Sequence, residues 1–360
     1  MTAPDRPLRA GLIGYGLAGA VFHAPLVSAV PGLSLDFIVT SAPERRQAAR
    51  AAHPEALLLE RAEQLWERAG ELDFVVVASP NRSHVSLAEA ALEAGLAVVV
   101  DKPLCRTVAE ARALAERAEA RGLVLAVFQN RRWDGDFMTV RGLVERGELG
   151  PVWRFESRFE RWAPTEAPGW RGSADPAELG GMLYDLGAHL VDQALVLFGP
   201  AVSVYAEADV RREGTGADDD SFIALTHASG TRSQLWMSAA TAQPGPRFRV
   251  LGARSGFVKH GLDPQEAALA AGARPGPGWG AEPEESFGLL GAQGPGGPGL
   301  SRVPTVPGSY QVFYEALEAC LRGEAAPPVT AWDVLGPLAV LEAAVESARE
   351  CRVVHLEDGR

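Results

Sequence analysis

Residues 8–19 read Leu8-Arg9-Ala10-Gly11-Leu12-Ile13-Gly14-Tyr15-Gly16-Leu17-Ala18-Gly19, and the fold turns on how this stretch is read. Positions 8–13 are short and nearly continuously apolar, as a strand covered on both faces must be. Glycines follow at once, and a helical pattern then runs to about residue 30. Gly14 allows the tight turn, Gly16 lets a backbone approach a pyrophosphate, and Gly19 lets the helix pack on the strand. Amides at the helix start would face the anion, with Leu17 and Ala18 among them. The spacing alone is weak in a chain with 39 glycines, because Gly294-Pro295-Gly296-Gly297-Pro298-Gly299 satisfies it too. That second match sits among prolines, with no strand expected before it and no helix after it, so only the first predicts dinucleotide binding.

Working outward, strand-like runs recur at 35–39, 57–59, 74–78, 97–100 and 123–128, separated by helical patterns such as 85–94 and 108–121. Continuous apolar strands alternating with helices predict a doubly wound parallel sheet, a Rossmann domain over residues 1–129. After one further helix at 136–147 the pattern changes. Runs at 152–162, 202–212, 222–228, 231–239 and 248–251 alternate with period two, which predicts a mainly antiparallel, open sheet. Helices are expected at 182–198, 310–322 and 332–351. Residues 130–360 therefore read as an α+β domain, and the chain as α/β overall. The Gly- and Pro-rich stretch 273–300 reads as a long loop, either functional or a plain linker.

Composition narrows the function. The 360 residues carry a formal charge of −12, which argues against nucleic acid or an anionic membrane as the main partner. Residues 1–129 hold 13 basic and 15 acidic groups against 21 and 31 in the remainder, so the first domain better suits an anionic cofactor. No apolar run approaches the length of a membrane span, and the polar start of the chain does not read as a secretory signal. The cysteines, Cys105, Cys320 and Cys351, have no metal-type spacing. A reducing cytoplasm and no metal are expected.

Cofactor choice is read at the end of the second strand, where Asp or Glu would bind the ribose hydroxyl of NAD. Here the strand ends in Thr40 and Ser41, followed by Arg45 and Arg46, while Asp36 lies inside it. Hydroxyls and guanidinium groups suit a 2′-phosphate, so NADP is expected over NAD; the plain alternative is that these arginines form a solvated helix face. The next tips carry Ser79-Pro80-Asn81 with His84, and Asp101-Lys102-Pro103. Both lie at the carboxyl edge of the sheet, where ligands bind in open α/β folds. Lys102 is one of only two lysines, the other being Lys259, in a chain that otherwise chooses arginine. A lysine can exchange a proton where an arginine cannot. In the second domain Gly180-Gly181-Met182-Leu183-Tyr184-Asp185-Leu186-Gly187-Ala188-His189 places Asp185 and His189 four apart, on one face of a helix. Such a pair can hold a hydroxyl and move its proton, or be a simple surface pair. The two-glycine entry suggests close approach to something.

Taken together, the Gly14–Gly19 loop, Ser79-Pro80-Asn81 with His84, the Asp101-Lys102-Pro103 tip and the 180–189 segment resemble the glucose–fructose oxidoreductase and inositol dehydrogenase family, the Gfo/Idh/MocA group. Asp101 departs from the family's usual Glu. Phe128-Gln129-Asn130-Arg131-Arg132-Trp133-Asp134 looks like the branch of NADP-dependent scyllo-inositol dehydrogenases. The resemblance implies an NADP-dependent enzyme that moves a hydride between nicotinamide and a hydroxyl-bearing or keto carbon of a cyclic polyol or sugar. It implies Lys102 as the group that polarises or deprotonates the hydroxyl, His189 as acid/base partner, and Asp185 as the carboxylate that binds a hydroxyl and orients the site. It places Asn81 and His84 near the nicotinamide, with Asn130, Trp133, Trp162 and Tyr184 as weaker substrate or cofactor walls. The second domain is expected to close over the cofactor, and its sheet to join a homodimer or homotetramer. Rival readings are a non-catalytic nucleotide-binding regulator, a dehydrogenase of a non-sugar substrate, and an NAD-dependent glycosidase; a substrate panel separates the enzymatic ones.

Overall fold

The computed structural model describes residues 6–165, 169–214, 216–294 and 297–356. The chain forms two units. One comprises Met1–Asn130, Gln265–Trp279 and Ser309–Leu335; the other comprises Arg131–Pro264, Gly280–Gly308 and Gly336–Arg360. The sequence placed everything beyond 129 in the second domain, whereas residues 265–279 and 309–335 pack with the first. Nothing in the pattern of either stretch marks which core it joins.

In the first unit six strands are all parallel: β1 (Leu8–Ile13), β2 (Leu33–Val39), β3 (Leu57–Leu59), β4 (Phe74–Val77), β5 (Ala97–Asp101) and β6 (Leu125–Phe128). Their order, β3-β2-β1-β4-β5-β6, reverses between β1 and β4, the switch point at whose carboxyl ends open α/β sheets bind ligands. The side chains of Val75, Val76 and Val77 are fully buried, each contributing about 1.5–3 kcal/mol. Behind β5 the helix Val108–Ala120 is anchored by a capping box, Thr107 Oγ1 accepting from the Glu110 amide at 3.2 Å and Glu110 Oε2 from the Thr107 amide at 3.1 Å. The free edge of β6 is covered from the late segment: the Val127 amide donates to the Val329 carbonyl at 3.0 Å, and Ala126 bridges Thr330.

The second unit holds β7 (Val152–Glu160), β8 (Ala201–Asp209), β9 (Asp220–His227), β10 (Arg232–Ser238), β11 (Phe248–Gly252), β12 (Ser255–Lys259), β13 (Gly288–Gly294), β14 (Gly297–Val303) and β15 (Val354–His355) in the order β14-β13-β12-β11-β7-β10-β9-β8-β15. Only β7 and β10 run parallel; the other pairs are antiparallel. Period two is visible in the burial: Phe155, Phe159, Ile223, Leu235, Met237 and Val250 face the core shared with Leu190, Val191, Ala194, Leu341 and Ala344. On the opposite face Phe222 and Trp236 are only half-buried, with ring centroids 5.0 Å apart.

The expected loop over 273–300 is overturned. Its second part forms β13 and β14, an antiparallel pair added to β12. The strands are Gly-rich because space is short, not because they are loops: a Cβ on Gly288 would lie 2.2 Å from the Phe257 ring. The discarded glycine motif at 294–299 thus lies in this hairpin, with a strand before it and a strand rather than a helix after it; Pro295 and Gly296 lie outside the described residues. A short helix, Gln265–Ala270, was also not expected.

Candidate active site

The glycine loop leaves β1 at Gly14, whose amide donates to the Val39 carbonyl at 3.0 Å and whose φ is +100°. A Cβ there would sit 2.4 Å from the Ala78 carbonyl oxygen, and one on Gly19 would sit 2.0 Å from the Gly14 oxygen. Both glycines are therefore explained by contacts within the protein. Gly16 is not: a Cβ there would meet nothing nearer than the Arg45 guanidinium, at 3.8 Å. Open space beside a glycine at the sheet's carboxyl edge fits the approach of a phosphate. Beyond it Ala18–His23 winds as a π-helix before the α-helix Ala24–Ala29. Pro25 has no amide to give the Val21 carbonyl, and the Ala24 amide instead reaches Gly19.

At the end of β2, Thr40 is buried and Ser41 exposed. The two arginines part company. Arg46 donates from one Nη1 to the carbonyls of Thr40 and Leu59, each at 3.2 Å, and so ties β2 to β3. Arg45 is exposed and carries its guanidinium over the glycine loop. Asp36 accepts from Arg9 Nε inside β2 and does not reach the tip.

At the neighbouring tips Asn81 and His84 are buried, whereas Pro80 is exposed. The Ser79 hydroxyl lies 2.7 Å from that of Ser83. His84 spans the two tips: Nδ1 lies 2.8 Å from the Pro103 carbonyl and Nε2 lies 2.9 Å from the Ser79 carbonyl. Burial lowers its pKa, against the pull of Asp101 and the two carbonyls. A neutral ring then donates to one carbonyl only. Asp101 Oδ1 accepts from the Lys102 amide at 2.8 Å, and the same oxygen lies 3.9 Å from Nε2 of His23. Burial pushes the Asp101 carboxyl up, but His23, Lys102 and His84 outweigh it and hold the group below the ordinary carboxylate value. His23 Nδ1 lies 2.6 Å from the Tyr314 hydroxyl. Neither His23 nor Tyr314 was singled out from sequence: they flank Asp101 only after folding.

In the second unit the helix expected over 182–198 is two, Met182–Asp185 and Gly187–Phe198, with Leu186 between them. Asp185 closes the first and His189 lies in the first turn of the second, so a shared face no longer follows from helical spacing. Both are buried. Asp185 Oδ2 accepts from Arg171 Nε at 3.0 Å, a partner the sequence reading missed. The two-glycine entry serves the protein itself. A Cβ on Gly180 would strike the Ser173 and Trp170 carbonyls at 2.5 and 2.7 Å, and one on Gly181, at φ +90°, would lie 1.9 Å from Asp218 Oδ1. Asp218 in turn accepts from the Met182 and Leu183 amides at 3.0 and 2.7 Å and steadies the short helix.

The weaker candidates differ in burial. Asn130 is buried in the first unit; Trp133 and Tyr184 are half-buried; Trp162 is 59% exposed beyond β7. The run from Arg131 to Asp136 proves to be densely tied. Arg132 makes a bidentate pair with Asp192 at 2.8 and 2.7 Å. Gln193 donates to the Arg131 carbonyl at 2.8 Å and accepts from Arg247 at 2.9 Å. Burial, with Asp136 and Asp263 nearby, pushes the Asp134 carboxyl well above the usual range despite Arg131 and Arg247.

Comparison with known proteins agrees with this architecture. A family model described as an oxidoreductase family with an NAD-binding Rossmann fold matches residues 8–129, and one described as the GFO/IDH/MocA C-terminal domain matches residues 137–258. The oxidoreductase YdgJ of Escherichia coli is 38% identical over 95% of this chain and 96% of its own length. The scyllo-inositol 2-dehydrogenase (NADP(+)) IolW of Bacillus subtilis is 33% identical over 97% of this chain and 96% of its own. The solved structure of the oxidoreductase yvaA from Bacillus subtilis superposes with a TM-score of 0.92 at 32% identity, covering 99% of this chain and all of that one.

Proposed function

The chain belongs to the Gfo/Idh/MocA family of NAD(P)-dependent oxidoreductases, and from that premise we propose that it is an NADP-preferring dehydrogenase of a cyclic polyol or sugar, inositol-like in class. The reading rests on one observation above the rest. Lys102, a lone lysine of its unit, stands at the carboxyl edge of the Rossmann sheet, in a chain similar along 97% of its length to an NADP-dependent scyllo-inositol dehydrogenase.

When bound, the nicotinamide supplies the hydride acceptor or donor. The residues of the chain handle the proton and the orientation. Lys102 takes the hydroxyl proton as the carbonyl forms, or returns it in the reverse direction. His189 is the proposed acid/base partner in that single proton transfer. Asp185, fixed by Arg171, accepts from a substrate hydroxyl and sets its direction. Gly14, Gly16, Leu17, Ala18 and Gly19 would hold the pyrophosphate, and Ser79, Pro80, Asn81, His84 and Asp101 would line the nicotinamide side. Thr40, Ser41 and Arg45 favour the 2′-phosphate, with Arg46 fixing the strand ends that carry them. Asn130, Trp133, Trp162 and Tyr184 are the proposed outer walls.

The proposal includes a homodimer or homotetramer joined through the sheet face that carries Phe222 and Trp236, and a cytoplasmic setting suited to three free thiols. The deciding experiment is a panel of inositols, inososes and aldoses with NADP and with NAD, followed at the reduced-nicotinamide absorbance. Turnover of a cyclic polyol with NADP is expected, and Arg45→Ala should cut the NADP/NAD preference about tenfold, as loss of one charge-assisted contact does. Activity with NAD alone would refute the cofactor assignment, and activity only on apolar substrates would refute the substrate class.

A further inference from the structure

His23 is fully buried in the first unit, on the helix that follows the glycine loop. Its ring lies 4.3 Å from that of Phe128 and near-perpendicular to that of Tyr314, itself buried beside Phe313. Apolar packing alone would be served by a phenylalanine. The imidazole is instead aimed at both ends: Nδ1 at the Tyr314 hydroxyl, 2.6 Å away, and Nε2 at Asp101 Oδ1, 3.9 Å away and with no nearer hydrogen-bond partner.

The tautomer follows from the surroundings. Burial, and the adjoining Asp101 charge, push the Tyr314 phenol well above its ordinary pKa, so it keeps its proton. With that proton donated to Nδ1, the ring's own hydrogen sits on Nε2 and faces the carboxylate. The oxygen it faces is the one that accepts from the Lys102 amide at 2.8 Å. The titratable groups facing Asp101 are His23 from the helix after the glycine loop, His84 from the helix after β4, Tyr314 from the helix Gln311–Leu321 and Lys102 beside it.

We propose that Tyr314, His23 and Asp101 form a buried polar chain that positions Lys102 at the tip of β5, with His23 and Tyr314 acting as positioning residues for the proton transfer. This rests on the role assigned to Lys102 above. Tyr314 orients the imidazole, the imidazole orients the carboxylate, and the carboxylate holds the main chain from which the amine projects. Asp101 Oδ1 stands 3.9 Å from Nε2, so the imidazole acts on the carboxylate through charge rather than through a formed hydrogen bond.

Two measurements test this. Nitrogen-15 imidazole spectra of the free protein should show His23 as the Nε2–H tautomer. Tyr314→Phe, which keeps the ring and loses the hydroxyl, should release the tautomer preference. A Nδ1–H tautomer, or a tautomer that ignores Tyr314→Phe, overturns the proposal, and neither readout needs a substrate. In turnover, His23→Gln keeps a donor toward Asp101 and should retain kcat within about tenfold, whereas His23→Leu should lose about a hundredfold with KM and NADP affinity nearly unchanged. Tyr314→Phe should displace the pH profile of kcat/KM. Equal losses in His23→Gln and His23→Leu, with unmoved pH profiles, would mean packing only. Failure of the polyol panel, with the spectra as expected, would instead count against the substrate reading alone.

Discussion

The tip of β5 and the entry to the helix Gly187–Phe198 each present a buried or half-buried carboxylate beside a proposed catalytic group, yet they are built by opposite means. Asp101 is held by residues far away in the chain, His23 and Tyr314, brought in by a helix of the glycine motif and a helix from the last quarter. Asp185 is held from within its own unit: by Arg171, 14 residues before it, with Gly180 and Gly181 making room and Asp218 steadying the turn. The first arrangement resists local change because its parts belong to a packed core. The second includes the half-buried guanidinium of Arg171 among its contacts, so it should yield to single substitutions in graded fashion.

The largest effect should come from the first region. Lys102→Met removes the proton-exchanging group and should lower kcat by about 10²–10⁴, the usual contribution of general acid–base catalysis. Cofactor affinity, read by quenching of tryptophan fluorescence, should change little; full activity would remove the lysine from the reaction. A smaller effect is expected in the second region. Arg171→Ala leaves Asp185 in place without its 3.0 Å partner and should raise KM about tenfold, or about 1.4 kcal/mol, with kcat less affected. If kcat fell as far as in Lys102→Met, the contrast between the two regions would collapse.

The smallest effect concerns stability. The Asp134 carboxyl has a folded-state pKa raised by burial and by Asp136 and Asp263. Its contribution is complete below the unfolded value of about 3.9 and is lost as pH rises through the folded value. Between those limits the protein should lose stability with rising pH, at up to about 1.4 kcal/mol per pH unit from this group. Asp134→Asn should flatten that slope in urea unfolding run from pH 4.5 to 8. An unchanged slope would assign the pH dependence to other groups.

What the sequence made legible follows the same division. All six strands of the parallel sheet were readable from apolar runs; the central ones, such as Phe74–Val77, are apolar throughout because both faces are buried, whereas Leu57 of the edge strand β3 is exposed. Gly14, Gly16 and Gly19 were readable because a strand precedes them and a helix follows. The hairpin β13–β14 was not, because Gly288 and Gly291 replace the apolar alternation where Phe257 and Leu300 need the space. The break at Leu186 was hidden in an apolar run that fits one helix as well as two. His23 and Tyr314 were invisible for a different reason: each alone is an ordinary buried aromatic, and only the fold sets both against Asp101. Of the two arginines after β2, spacing could not say that Arg46 would bind carbonyls while Arg45 lies over the loop.

The discontinuity of the first unit bears on how the protein is born. Ribosomes deliver the six parallel strands long before Ser309–Leu335 emerges, a wait on the order of 10–40 s at ordinary elongation rates. During that interval the flank of β6 has no Val329 to pair with, and the imidazole at position 23 has no phenol above it. The nascent nucleotide-binding half is thus an unfinished object with a sticky margin, and its maturation is timed by the synthesis of a segment that the message encodes well after the sixth strand.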